Sequence, residues 1–223
     1  MREWSRSSRA VHVALAVVIL GTSLVACRTA YYAAWEKLGR EKRDLLRRDV
    51  AAVREEQQQT SEEFQDALDR LRAVYGSTDS PLERRYDDLR SAHQSAESQA
   101  NELRGRIRRA ETVANDLFEE WESEIGSMQS ASLRRSSQHK LARTRERWKG
   151  LHAAMLRSEK SMDPVLAQLR DQVLFLKHNL NAQALGTLEA EARSIDRDVS
   201  VLVSNLKRSI AEADAFLSTL ESD

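Results

Sequence analysis

The one thiol of the sequence, Cys27, has the setting most suited to covalent chemistry. It follows Leu24, Val25 and Ala26: an apolar residue, a tolerant one and a small one. This order is similar to the bacterial lipobox, in which the cysteine after the small residue is acylated and becomes the first residue of the mature chain. The preceding residues fit that chemistry. Met1–Ala10 carries Arg2, Arg6 and Arg9 against Glu3, and Val11–Leu24 (VHVALAVVILGTSL) is apolar apart from His12, Thr22 and Ser23. Such an apolar run is short for a bilayer span, which takes about 20 residues, but suits the core of a signal peptide. The expected organisation is therefore a signal peptide over 1–26 and a lipid-anchored body over 27–223. The competing reading, an uncleaved membrane helix with an incidental cysteine, fits the short apolar run less well. Two or three acyl chains at one residue hold a membrane stably, where a single chain holds it only marginally. By resemblance to lipoproteins of two-membrane bacteria, Asp after the cysteine favours inner-membrane retention. Arg28 stands there, so the expected address is the periplasmic face of the outer membrane.

Other candidates for chemistry have structural readings beside them. The basic run Arg134, Arg135, Lys140, Arg143, Arg145, Arg147 and Lys149 could hold phosphate, nucleic acid or anionic lipid. It lacks the interleaved aromatics that stack bases. The acidic run Asp116, Glu119, Glu120, Glu122 and Glu124 can neutralise it, so an internally paired face is expected. Folding back near residue 128 should set Glu122 across from Arg134, and Asp116 across from Lys140. His93 falls on an apolar seam, where a polar residue more often fixes register than binds a ligand. No partner set for a metal accompanies it. His178, Asn179 and Asn181 lie at the far tip, as helix caps or as a partner contact. Tyr31, Tyr32 and Trp35 closely follow Cys27. They are candidates for the lipid head-group layer, or, for Trp35, for packing on Trp121. The sequence contains no phosphate loop, nucleophile elbow or His-Glu metal motif. No catalytic residue, cofactor or metal is expected, and the chain is not expected to be an enzyme.

The elements that position these residues are long helices. Among 223 residues there are 7 Gly and 2 Pro, too few turn-formers to punctuate a sandwich or an alternating α/β fold. Lys plus Arg and Asp plus Glu are equal at 35 each, which argues against a nucleic acid partner held by overall charge. One cysteine excludes a disulfide framework within the chain.

Apolar residues recur at alternating three and four spacing. The first segment, about 29–75, carries Leu46, Val50, Val53, Gln57, Thr60, Phe64, Ala67, Leu71 and Val74. The second, about 82–125, runs from Leu82 and Tyr86 through His93, Ala100 and Ile107 to Trp121 and Ile125. The third, about 131–180, includes Leu141, Thr144, Trp148, Met155, Ser158, Met162, Leu166 and Leu169. The fourth, about 185–221, includes Ile195, Val199, Leu202, Leu206, Ile210, Ala213, Leu217 and Leu220. Ser80 reads as an N-cap with Pro81 at the first helical position. Pro164 reads as a kink inside a continuous helix, and the last break is placed near 181–185. The expected fold class is all-α, a long antiparallel coiled-coil-like bundle of four helices in one elongated domain.

Three stretches carry a family resemblance: YYAAWEKLGREKRD over 31–44, ASLRR over 131–135, and MDPVLAQLRDQVLFLKHNLNA over 162–182. They resemble a bacterial family known as domain of unknown function 2959 (DUF2959), over essentially the whole body, with the run ending FLKHNLNA the most specific part. The resemblance implies helical, exported or lipid-anchored proteins of Gram-negative bacteria and carries no established activity. The resulting expectation is a lipid-anchored periplasmic scaffold whose partners are the membrane and an envelope protein or a second copy. The alternative is a periplasmic ligand-binding or holdase-like bundle, with Gln57, Thr60, His93, Thr144 and Ser158 loosening the core.

Overall fold

A helix with an apolar stripe along its whole length must bury that stripe against other helices. The computed structural model describes residues 42–76, 81–179 and 182–222. Among these, the regular elements are α1 (Lys42–Gly76), α2 (Leu82–Ser127), α3 (Ala131–His178) and α4 (Ala182–Ser222). The chain divides into two compact units, Met1–Leu45 and Leu46–Asp223. The described part of the first is the opening of α1. The second holds the rest of α1 with α2, α3 and α4, and the packing below belongs to it.

Cross-helix pairs define the topology. Asp49 and Glu56 of α1 meet Arg109 and Arg106 of α2, so advancing along one helix means retreating along the other. Arg104 and Glu122 of α2 meet Asp163 and Arg145 of α3. Gln168 of α3 donates to Asp198 of α4 at 2.7 Å, and Trp148 lies against Phe216. Finally α4 returns beside α1 through Asp214 with Arg54 and Asp196 with Arg72. This is an up-down-up-down four-helix bundle with short connections, as expected from the sequence.

The buried positions keep a strict alternation of three and four. On α1 the seam is Leu46, Val50, Val53, Gln57, Thr60, Phe64, Ala67, Leu71 and Val74, all fully buried, with Leu45, Glu56, Ser61 and Leu68 buried on its flanks. The α2 seam follows the sequence reading from Leu89 to Leu117, while Leu82, Tyr86 and Trp121 are half-buried. On α3 and α4 four expected seam positions, Leu166, Ala192, Ile210 and Leu217, are only half-buried. Val165 is buried where Leu166 was expected, Ser209 in place of Ile210, and Phe216 in place of Leu217. The period of 3.5 decides which face points inward, and a bulkier apolar neighbour does not override it. Backbones approach more closely between α2 and α3 and between α3 and α4 than between α1 and its neighbours. Alanines at Ala92, Ala96, Ala100, Ala110 and Ala114 allow α2 its close approach.

The ends refine the expected boundaries. Helix α3 passes through Pro164 and ends at His178, and α4 starts at Ala182, a few residues earlier than expected. Pro81 is itself the N-cap of α2, with its carbonyl accepting from the N–H groups of Arg84 and Arg85, instead of opening the helix after a Ser80 cap. Ser80 lies outside the described residues. Ser130 caps α3 by accepting from the Leu133 N–H.

Candidate functional site

The middle of the bundle carries a polar layer. Gln57 is fully buried, and its side-chain amide donates to Ser209 Oγ at 2.7 Å and Ser158 Oγ at 3.2 Å. Ser158 in turn donates to the Met155 carbonyl at 2.7 Å, so one residue of α1 ties α3 and α4 together. The Gln57 Oε1 is buried with no protein partner. Exchanging the amide O and N leaves the other end of the same group unmatched, so the layer is under-satisfied in either assignment. One turn on, the Thr60 hydroxyl donates to the Glu56 carbonyl at 2.7 Å, the ordinary way to satisfy a buried threonine in a helix. His93 is buried on the α2 seam, where the sequence placed it. Among the described residues no three of His, Cys, Asp and Glu gather closely enough to hold a metal ion.

Polar pairs surround this core. Glu56 is almost fully buried, with Arg106 on one oxygen and the Gln99 amide on the other at 2.7 Å. Tyr75 donates to Gln172 Oε1 at 2.5 Å, and burial raises its phenol pKa well above the ordinary range. Arg145 donates to Glu122 at 2.8 Å, a hydrogen bond that, together with its charge, holds the Glu122 carboxyl below its usual pKa. Arg72 is pushed upward, first by its hydrogen bond to Asp196.

The expected pairing of Glu122 with Arg134 is therefore corrected. Its partner Arg145 lies about three helical turns further along α3. Arg134 instead folds back on the turn and donates to the Met128 carbonyl at 2.6 Å. Simple counting from the turn ignored the reach of an arginine side chain and the local demand of exposed carbonyls at a helix end. The basic run as a whole is largely engaged. Arg145 also donates to the Phe118 carbonyl and lies over the Phe118 ring, and Lys149 pairs with Glu146.

Of the residues singled out from the sequence, Cys27, Tyr31, Tyr32, Trp35 and Asn181 lie outside the described residues. His178 is the exposed last residue of α3. Asn179 is its C-cap. The Asn179 backbone N–H donates to the Leu176 carbonyl and its side-chain amide to the Phe175 carbonyl at 2.9 Å. Trp121, the other half of the suggested contact with Trp35, donates its indole N–H to Ser137 Oγ at 2.8 Å.

Sequence reasoning missed one feature, a cleft of about 320 Å³ lined by Arg48, Asp49, Ala51, Ala52, Arg106 and Arg109. Its arginines come from two helices far apart in sequence, and the basic stretch RGRIRR over 104–109 that holds Arg106 and Arg109 does not by itself point to Arg48. The available signal was the i, i+3 pair Arg106 and Arg109 on the one face of α2.

Among the described residues no helix is long and apolar enough to cross a membrane. Comparison with curated proteins and with solved structures yields no match. The three stretches quoted from the sequence, helices α1 to α3, all but the last two residues of α4 and the capped run ending at Asn179 fall within residues 31–220, which match the family model described as protein of unknown function (DUF2959), and the chain belongs to that family.

Proposed function

We propose that this protein is a lipid-anchored, non-catalytic scaffold of the bacterial envelope. Acylated Cys27 fixes it to the periplasmic face of the outer membrane, and the helical bundle presents its surface to an envelope protein or a second copy. The observation that carries this reading is the lipobox-like Leu24–Cys27 placed ahead of a body built as one continuous set of coiled-coil seams. Long antiparallel helices bury apolar surface along their whole length and leave their charged faces outward, an arrangement suited to spacing and docking. Crosslinking in intact envelopes followed by capture of the protein should recover a defined partner or the protein's own dimer. Recovery of neither would contradict the scaffold.

A second reading, a periplasmic ligand-binding or holdase-like bundle, draws on the under-satisfied layer at Gln57. A guest that binds only the folded state must raise its thermal stability. Unchanged melting with fatty acids, lipids and unfolded client chains would remove this reading.

A further inference from the structure

The turn between α2 and α3 forms one end of the bundle. Asp49 of α1 meets Arg109, and from there α2 runs on to Ser127, about 27 Å of helix. Phe216 of α4 meets Trp148, and from there α3 reaches back to Ala131, about 26 Å, while α4 has about 9 Å left before Ser222. Among the described residues of the bundle, the α2–α3 turn is therefore the outermost point at this end. The chain that follows Cys27 enters the bundle at the same end, because α1 runs away from the turn.

The side chains of the turn suit an interface. Every residue from Gly126 to Ser136 is exposed, apart from the half-buried Met128. Leu133 is 65% exposed, the most exposed large apolar residue among those described. Ser137, one turn along the same face of α3, accepts from the indole of the half-buried Trp121. Leu141, one turn further, is buried. This face of α3 thus rises out of the core and emerges at Leu133. Between Glu124 and Glu146 the chain has no carboxylate, and Arg135 is exposed beside Leu133. A single exposed leucine is ordinary. Leu133 is set apart by its place, on the outermost turn of the end where the chain from Cys27 joins.

We propose that the α2–α3 turn is a second membrane contact, resting on the phospholipid head-group layer with Leu133 at its apolar boundary and Arg135 among the phosphates. This deepens the reading of a lipid-anchored body and rests on the anchor at Cys27. One leucine buries too little apolar area to hold a free protein on a bilayer. A tether makes the encounter intramolecular, where a weak contact suffices. Contact at two points sets the direction in which the bundle stands.

The test uses the full acylated chain in vesicles of phosphatidylethanolamine and phosphatidylglycerol. Acylation leaves Cys27 without a free thiol, so Gln129→Cys in the turn can be labelled alone with an environment-sensitive fluorophore. Glu83→Cys, exposed in the first turn of α2 at the opposite end, is the control. The label at 129 should shift to shorter wavelength and be quenched by lipid-borne doxyl groups, and the label at 83 should do neither. Leu133→Asp, a change at an exposed site, should abolish the quenching at 129 while the protein stays on the vesicles, and Arg135→Glu should weaken it. Undiminished quenching with Leu133→Asp would overturn the contact. A protein that floats with the vesicles but shows no quenching at 129 would overturn the contact and leave the anchor standing. A protein that does not float would remove the anchor and the contact together. A blue shift without lipid quenching would assign the turn to contact between proteins and overturn the lipid contact.

Discussion

At the scale of single residues, the bundle's most informative side chain is Gln57. An unmatched acceptor in a fully buried position costs about 1–3 kcal/mol. Gln57→Leu removes that cost at the expense of the bonds to Ser158 and Ser209, so the variant should be more stable by about 1 kcal/mol. Urea unfolding with an unchanged slope and a higher midpoint would show this. A lower midpoint would mean that the amide oxygen has a partner, such as an ordered water. What the glutamine contributes is a requirement that α1, α3 and α4 meet at one height, since an apolar layer can slide where a hydrogen-bonded one cannot. Tyr75 provides a pH-dependent counterpart. Burial raises its pKa, so the folded state favours the protonated phenol. The stability this adds is fully present below the ordinary tyrosine value of about 10. It is lost as pH rises from there towards the folded value, because the unfolded chain releases the proton first. Tyr75→Phe should therefore lose less stability than the wild type between neutral pH and about pH 11. Chemical denaturation at each pH compares the two slopes, and identical slopes would contradict the assignment.

At the scale of helices, the position of each seam was legible in the sequence, but the choice among neighbouring residues was less so. Along α1 every expected seam residue from Leu46 to Val74 is buried, because the 3.5 period holds there without interruption, while Glu56, Ser61 and Leu68 are buried beside the seam. Expectation and burial part at Ser209 and Ile210, where the period selects the small polar residue, and at Leu166 and Leu217, where it selects the preceding Val165 and Phe216. Long-range ion pairs were not legible, as Glu122 with Arg145 shows, because side-chain reach and local capping set them as much as helix register does. The arginine cleft was invisible for a related reason: Arg48 and Arg109 become neighbours only after α1 and α2 have packed. Pro164 is the one element-level anomaly. It is exposed in the interior of α3, and it denies the ladder one N–H. Pro164→Ala should stabilise the protein by about 1–3 kcal/mol, read from urea unfolding. A destabilised variant would mean that the local backbone geometry around Pro164 is required for packing against α4.

At the scale of the whole molecule, the balance of 35 basic and 35 acidic residues becomes a set of inter-helix pairs: Arg54 with Asp214, Arg72 with Asp196, Arg104 with Asp163, Arg109 with Asp49. Each exposed pair contributes about 0–1 kcal/mol, so their larger effect is to select one arrangement of four similar helices. The proposed role adds a single covalent event to that frame. With Cys27 acylated, the bundle becomes a membrane-tethered body; among the described residues no helix is long and apolar enough to cross a membrane. Intact mass spectrometry of the protein extracted from its native envelope tests this most directly. The account predicts a mature chain that begins at Cys27 and carries the added mass of acyl chains there. A chain that begins elsewhere, or one with Cys27 unmodified, would contradict it.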